Sequence, residues 1–284
     1  MAEHTNWTVI TGSTGGIGQE LAALLAQRGK DLILINRSLP KAESQRAELL
    51  QAFPSLQVAL VSADFMDAAS ITRAIETILA MPGQIEALYN NAGVLLAEKV
   101  LSAQGYESHF AVNVLAPYQI IKGLRTKLAR GADHPPAMVV NFSSSAIGTQ
   151  KALDLQQLAN PDTVTGLMGT YAQSKLAVTS LSAALAKDLE RDHILIRAVD
   201  PGATKTAMTT GNAAMPKPLQ WIAPLFFAPA DKQAAKVVAS ADPDLFHGKT
   251  GILVANRREK GMPKPALDQK TQERLLDLLE QALA

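Results

Sequence analysis

Tyr171 and Lys175 stand four residues apart in the run Tyr171-Ala172-Gln173-Ser174-Lys175. On a helix that spacing puts a phenol and an ammonium on one face, where the positive charge favours phenolate. A free tyrosine titrates near pH ~10, and lowering it by about three units takes roughly 4 kcal/mol of differential stabilisation. Lys⁺ together with a second positive charge in a dry cleft can supply that. The chemistry such a pair supports is proton transfer at a reacting oxygen. Taken alone the spacing also suits a solvated helix face, so its weight depends on what accompanies it.

A glycine-dense turn accompanies it. Thr11-Gly12-Ser13-Thr14-Gly15-Gly16-Ile17-Gly18 follows an apolar run and leads into a helical pattern near Gln19. Backbone N–H groups of Gly12, Ser13, Thr14, Gly16, Ile17 and Gly18 can then approach a pyrophosphate at the positive end of the helix. No Gly-Lys-Ser/Thr ending follows, which disfavours a triphosphatase loop. Eighteen residues past Gly18 stand Asn36 and Arg37. An acidic residue there would bind the ribose 2′-hydroxyl of NAD, whereas arginine pairs with a 2′-phosphate, so the reading is NADP(H). Asp64 is placed to meet the adenine, or else to cap a helix. In Asn90-Asn91-Ala92-Gly93, amide and small side chains leave room for a flat cofactor, notably at Asn91, Ala92 and Gly93. Ser143, Ser144 and Ser145 offer three hydroxyls at another apolar run's end, for an oxygen or for turn capping.

These residues need a scaffold that brings run ends together. Apolar runs at Trp7–Thr11, Leu32–Ile35, Val58–Val61, Ala87–Tyr89, Met138–Phe142, Ile194–Val199 and Ile252–Val254 read as buried strands. Helical spacing lies between them, as in Leu21, Leu24 and Leu25, then Ile71, Ile75 and Ile78. The alternation implies an α/β, Rossmann-type doubly wound fold. Its seven-stranded parallel sheet is flanked by helices, within one domain spanning 1–284. Ligands in such folds sit beyond the strands' carboxyl ends, where the residues above fall.

Bulk properties narrow the classes further. A net charge of +1 with dispersed Lys and Arg argues against nucleic acid as a partner. Without cysteine there is no thiol or iron–sulfur chemistry, and the five histidines lack metal-ligand spacing, so no metal is expected. The N-terminus has no basic and apolar leader pattern, and the apolar loop 218–230 is broken by Pro224 and Pro229. A cytoplasmic protein without a membrane span is expected.

The ordered set Thr11-Gly-x-x-x-Gly-x-Gly18, Asn90-Asn-Ala-Gly93, Asn113, Ser144, Tyr171-x-x-x-Lys175 and Pro201-Gly202 resembles the classical short-chain dehydrogenase/reductase family over nearly the whole chain. The resemblance implies that Ser144, the middle serine, orients the substrate oxygen. It implies that Tyr171 transfers the proton, that Lys175 lowers the tyrosine pKa and holds the nicotinamide ribose, and that Asn113 supports a water-linked proton path. Thr204 and Thr206 would meet the carboxamide and phosphate side of the cofactor. A departure is the stretch of twenty-six residues between Ser144 and Tyr171, about twice the family's usual separation. Together with Asn36-Arg37, Asp242-Pro-Asp244 and Gly248-Lys-Thr-Gly251 it is similar to the retinol-dehydrogenase-like branch, which implies a lipophilic carbonyl or alcohol substrate.

Met208, Met215, Trp221, Leu225, Phe226 and Phe227 give the segment 203–230 the look of an apolar substrate lid or a subunit contact. Leu275, Leu276, Leu279 and Leu283 give 266–284 helical spacing suited to covering the sheet, extending the lid or forming a homo-oligomer contact. Two other functions use much of the same equipment: a cofactor-retaining epimerase or dehydratase, and an NADP(H)-sensing interaction protein without turnover.

Overall fold

The structure is a computed structural model that describes residues 6–206, 209, 213–214 and 227–284. Eight strands form one sheet: β1 Asn6–Thr11, β2 Asp31–Asn36, β3 Val58–Ser62, β4 Gln84–Asn90, β5 Ala137–Phe142, β6 Ile194–Asp200, β7 Ile252–Ala255 and β8 Arg258–Lys260. Their order is β3-β2-β1-β4-β5-β6-β7-β8. Strands β1 to β7 are parallel, as their apolar runs implied, and β8 is an antiparallel addition at the edge. Asn256 and Arg257 both have positive φ (51° and 60°) and close β7 onto β8 as a two-residue hairpin. That turn has no glycine and β8 is Arg-Glu-Lys, so neither the usual turn dipeptide nor an apolar run marks it in the sequence.

The principal helices are α1 Gly16–Gln27, α2 Leu39–Ala52, α3 Ala68–Ala80, α4 Ala116–Leu128, α5 Ala172–Glu190, α6 Ala230–Ser240 and α7 Gln269–Leu283. On one face of the sheet, Val9, Ile33, Leu88 and Val139 pack against Ile71 and Ile78 of α3 and Ile121 and Leu124 of α4. On the other, Ile10, Leu34 and Val140 meet Leu21 and Leu25 of α1 and Val237 and Val238 of α6. Successive side chains of a strand point to opposite faces, so continuous apolar runs are what a sheet covered on both sides demands.

Strand order reverses between β1 and β4, which opens the crevice at their carboxyl ends. The C-terminal helix α7 does not lie on the sheet itself but forms a second tier over the helices. Leu275, Leu279 and Ala282 pack on Phe110, Val114 and Leu181, outside the helical layer. No helix among the described residues is long and apolar enough to cross a membrane. Of the lid residues, Met208, Met215, Trp221, Leu225 and Phe226 lie outside the described residues.

Candidate active site

The glycine turn is built by close approach. Gly12 has φ +67°, and a Cβ added there would lie 3.0 Å from Ala92 Cα. One added at Gly18 would lie 2.3 Å from Gly12 O and 2.5 Å from Asn91 Nδ2. These glycines let the turn nest against the end of β4, where Asn91 Nδ2 donates to Thr11 O and Gly12 O at 2.9 Å each. Ala92 N–H donates to Thr11 Oγ1 at 2.9 Å.

At the start of α1 the capping residue is Gly15, which brings no side-chain acceptor. The first-turn N–H groups of that helix therefore face outward unsatisfied by a cap, and a Cβ on Gly15 would meet nothing within 4 Å. Thr14 and Ile17 are half-buried on the same turn. Gly16, φ +55°, faces Thr206: a Cβ added there would lie 3.0 Å from Thr206 Cγ2. Thr204 is buried, and its hydroxyl donates to Gly202 O at 2.8 Å, within its own loop.

Ser13 and Asn36 are tied together beneath the turn. Asn36 Nδ2 donates to Ser13 Oγ, Ser13 Oγ donates to Gln45 Oε1, and Gln45 Nε2 donates to Ser13 O, each at 2.8 Å. Gln45 of α2 is a member the sequence did not single out. Asn36 Oδ1 stays buried with no donor among the described residues. Arg37, by contrast, is exposed at the end of β2 and makes no hydrogen bond or ion pair among the described residues. Asp64 Oδ1 accepts from Met66 N–H at 3.0 Å, and the helix cap is Asp67, which accepts from Ala69 N–H.

The strand ends then bring Ser144, Tyr171, Lys175 and Asn113 together. Ser143 is buried and hydrogen-bonds Thr179 Oγ1 at 2.7 Å, and Ser145 is exposed. Of the three serines, Ser144 is the one whose side chain acts as hydrogen-bond partner on the Tyr171 phenol, lowering its pKa. Tyr171 ends a π-helical turn, Leu167–Tyr171, that runs straight into α5. Asn113 lies in a second one, Ala111–Leu115, leading into α4. Such one-turn widenings collect at functional positions. Asn113 Oδ1 accepts from Val94 N–H at 2.8 Å, and its Nδ2 donates to Val94 O and Ser174 Oγ at 3.1 and 2.9 Å. Its side chain thus clamps the loop after β4 to α5. Lys175 Nζ lies 5.8 Å from the Tyr171 ring centre and donates to Phe142 O at 2.8 Å. Two of its three N–H donors remain for other acceptors. Gly93 stands beside it: an added Cβ would lie 3.1 Å from Asn113 Oδ1 and 3.5 Å from Lys175 Nζ.

Sequence reasoning missed two acidic groups here, one half-buried and one buried. Asp200, immediately before Pro201-Gly202, accepts from the Gly202 and Ser145 N–H groups and faces Lys175. Its position at a strand's carboxyl end was the available signal. Glu107 and His109, both fully buried, pair at 2.9 Å through His109 Nδ1. His109 Nε2 accepts from Leu96 N–H at 3.0 Å, and its ring meets Tyr171 edge-on, centres 6.3 Å apart. Nothing in the run Glu107-Ser108-His109 marks it as a neighbour of Tyr171.

Within the protein alone, burial dominates the electrostatics. Burial pushes the Tyr171 phenol up to about 12, opposed by the Ser144 hydrogen bond and reinforced by Asp200. Burial also pushes Lys175 down to about 8, opposed by Asp200. Desolvation is the largest cause for both groups.

Lys175 therefore carries a stability cost. Below pH 8 both folded and unfolded chains hold its proton, and the folded one bears the full burial penalty, roughly 3 kcal/mol. Between pH 8 and 10.5 only the unfolded lysine stays protonated, so the penalty fades as pH rises. Lys175→Met removes it but leaves Phe142 O without a donor, a loss of about 1–3 kcal/mol. Denaturant melts are expected to show this variant more stable than the parent at pH 7, on the order of 1 kcal/mol, with the advantage gone near pH 10. A less stable variant at pH 7 would contradict this.

The stretch between Ser144 and Tyr171 forms one wall. It contains the short helix Leu155–Ala159, capped by Asp154, and is pinned by Gln173, which donates to Gln150 Oε1 and Ala152 O. Gly166 has φ +64°, and a Cβ there would fall 2.4 Å from Ala214 O. Leu167 N–H donates to Ala214 O at 3.1 Å. Leu95, Leu167, Ala214 and Phe227 cluster with Tyr171, giving the phenol apolar surroundings.

Comparison with known proteins agrees with this geometry. Residues 6–157 and 159–217 match the family model described as short chain dehydrogenase. Retinol dehydrogenase 12 of Bos taurus is 36% identical over 202 residues, covering 70% of this chain and 62% of that protein. The match thus leaves over a third of the bovine protein uncovered. Its Mus musculus counterpart is 30% identical over 269 residues, 94% of this chain and 83% of that protein. Among solved structures, 3-ketoacyl-(acyl-carrier-protein) reductase from Brucella melitensis, complexed with NADH, superposes with a TM-score of 0.68 at 23% identity, covering 92% of this chain and 99% of that one.

Proposed function

The chain belongs to the short chain dehydrogenase family, in its retinol-dehydrogenase-like branch. From that premise we propose that it interconverts a carbonyl and an alcohol on a lipophilic small molecule, with NADP(H) as hydride partner. The observation that carries this reading is the meeting of Ser144, Tyr171 and Lys175 beside the glycine turn, in apolar surroundings.

The residues present fit the cofactor. The uncapped start of α1 at Gly15 suits a pyrophosphate, with Thr206 alongside. Asn36 Oδ1 is a buried acceptor in need of a donor, which a ribose hydroxyl would satisfy. The spare N–H groups of Lys175 suit the nicotinamide ribose. When bound, the nicotinamide supplies or accepts the hydride. In reduction Ser144 donates a hydrogen bond to the carbonyl oxygen as negative charge builds there, and Tyr171 delivers a proton to that oxygen. Oxidation reverses both roles. Asn113, through Val94 and Ser174, holds the loop after β4 against α5 and so fixes where Lys175 sits. Leu95, Leu167 and Phe227 favour an apolar group next to the reacting carbon.

Turnover of aliphatic and polyene aldehydes with NADPH and NADH tests the reading, and Arg37 tests its cofactor half. An exposed arginine at the end of β2 can pair bidentately with a 2′-phosphate. Arg37→Ala is expected to cut the NADPH-over-NADH preference about tenfold or more, a loss of one charge-assisted pair. An unchanged preference would remove the 2′-phosphate assignment. Cofactor binding without turnover across the panel would favour a sensing protein instead.

A further inference from the structure

A cavity of about 430 Å³ opens at the amino ends of β1, β4 and β5, the opposite edge of the sheet from Tyr171. It lies where α1 and α6 end, and it is of ligand-binding size. Its walls include Leu25, Met138 and Val238, and its rim carries Arg28, Lys30, Arg130 and His134 against Glu86 and Asp242.

Three features mark it as more than a gap between helices. First, β4 carries a bulge there. Trp7 pairs with Ile85 and Thr8 with Ala87, which leaves Glu86 as the extra residue, an arrangement uncommon between parallel strands. The bulge turns Glu86 to the rim, where Thr8 Oγ1 and Lys30 Nζ each donate to it at 2.9 Å.

Second, Arg130 Nη1 donates to Asn6 Oδ1 at 3.0 Å, while its Nε and Nη2 are buried with no partner among the described residues. Those two nitrogens form one complete edge of the guanidinium fork, the edge that grips a carboxylate with two parallel hydrogen bonds. Glu86 is already engaged by Lys30 and Thr8, and Asp242 Oδ1 accepts from Asp244 N–H, so neither carboxylate serves that edge. Third, Tyr89 lines the cavity, and its hydroxyl has no hydrogen-bond partner among the described residues. The unpartnered N–H groups of Arg130 are costly, and an anion entering from outside, with a small turn of the guanidinium toward the cavity, would satisfy them and take the Tyr89 hydroxyl's hydrogen bond.

We propose that this cavity binds an amphipathic carboxylate. Its head group takes the Nε/Nη2 edge of Arg130 and the Tyr89 hydroxyl, and its aliphatic tail lies along Leu25, Met138 and Val238. The site is separate from the reacting centre and independent of the reaction assigned to it.

Calorimetric titration of the full chain with octanoate tests this, with acetate and 1-octanol as probes lacking the tail or the charge. Octanoate is expected to bind at one site, with acetate and 1-octanol each at least about tenfold weaker, the loss of one charged contact or of several buried methylenes. Arg130→Met should weaken octanoate about tenfold or more, and Tyr89→Phe several-fold. Tyr171→Phe should leave it unchanged. The proposal is overturned if octanoate does not bind at millimolar concentration, if acetate binds equally well, or if Tyr171→Phe abolishes binding. Parent-like affinity in Arg130→Met overturns it too. Should that variant fail to fold, parent-like affinity in Tyr89→Phe overturns it in the same way.

Discussion

Tyr171→Phe is expected to lower kcat for aldehyde reduction by about 10²-fold or more, with the fold intact and cofactor affinity little changed. The change deletes one hydroxyl and keeps the ring in its apolar cluster with Leu95, Leu167 and Phe227, so packing loses little. What it removes is the proton that the alkoxide needs as the hydride arrives. At about 12, the phenol is fully protonated at neutral pH, which suits the reductive direction: that rate should stay level across neutral pH. Oxidation needs the phenolate, so its rate should climb as pH rises through the alkaline range. Ser144→Ala sharpens the test. Ser144's hydrogen bond is what holds the phenol down, so without it the oxidative limb should move to higher pH as well as fall in height. Steady-state rates in both directions between pH 6 and ~10 check each point, the upper bound being set by the tyrosine reference value. Undiminished reduction by Tyr171→Phe would end the assignment of this residue as proton donor.

The scaffold for this chemistry was readable because strands buried on both faces write themselves as unbroken apolar runs, and those runs located every parallel strand. The glycine turn was readable for a related reason: Gly12 and Gly18 occupy places where a Cβ would strike backbone or Asn91. Other features are hidden by the way a chain folds back on itself. Three adjacent serines look alike until alternate directions send Ser143 to Thr179 and leave Ser144 on Tyr171. Spacing reports a neighbouring charge but not burial, which in the protein alone is the largest influence on Tyr171. Arg130 is far in sequence from Glu86 and Tyr89 of β4, and no periodicity relates it to them. Asp242-Pro-Asp244 and Gly248-Lys-Thr-Gly251 stand out in the sequence only through resemblance. Their physical use emerges from a residue that the apolar run Ile194–Val199 conceals.

That residue is Arg197, the largest side chain fully buried among the described residues, in a strand flanked by β5 and β7. Its guanidinium donates to Ser240 O and Asp242 O through Nη1, to Pro243 O through Nη2 and to Lys249 O through Nε, at 2.6–3.2 Å. Phe246 lies against it, 5.0 Å from ring centre to the guanidinium carbon. Three of those carbonyls belong to the end of α6 and the turn after it, which carries the negative end of the helix dipole. Burial pulls the Arg197 pKa down to about 10, opposed by Asp242, so the charge itself is held at a cost. An apolar replacement would relieve that cost if the partners could be replaced too. Here the partners are backbone carbonyls, which no substitution removes. Arg197→Leu therefore leaves four acceptors, at least partly buried, without their donor and unties the end of α6 from β6. A loss of about 3–5 kcal/mol is expected, several carbonyls each losing a donor at about 1–3 kcal/mol, seen as a fall in Tm of roughly 10 °C or more. Arg197→Lys keeps the charge but brings one point donor in place of a planar fork, so it should recover only part of the loss. Calorimetric Tm values within a degree or two of the parent for Arg197→Leu would show that these carbonyls find other donors. Recovery by lysine to parental stability would show that charge alone, and not the fork, ties the end of α6 to the sheet.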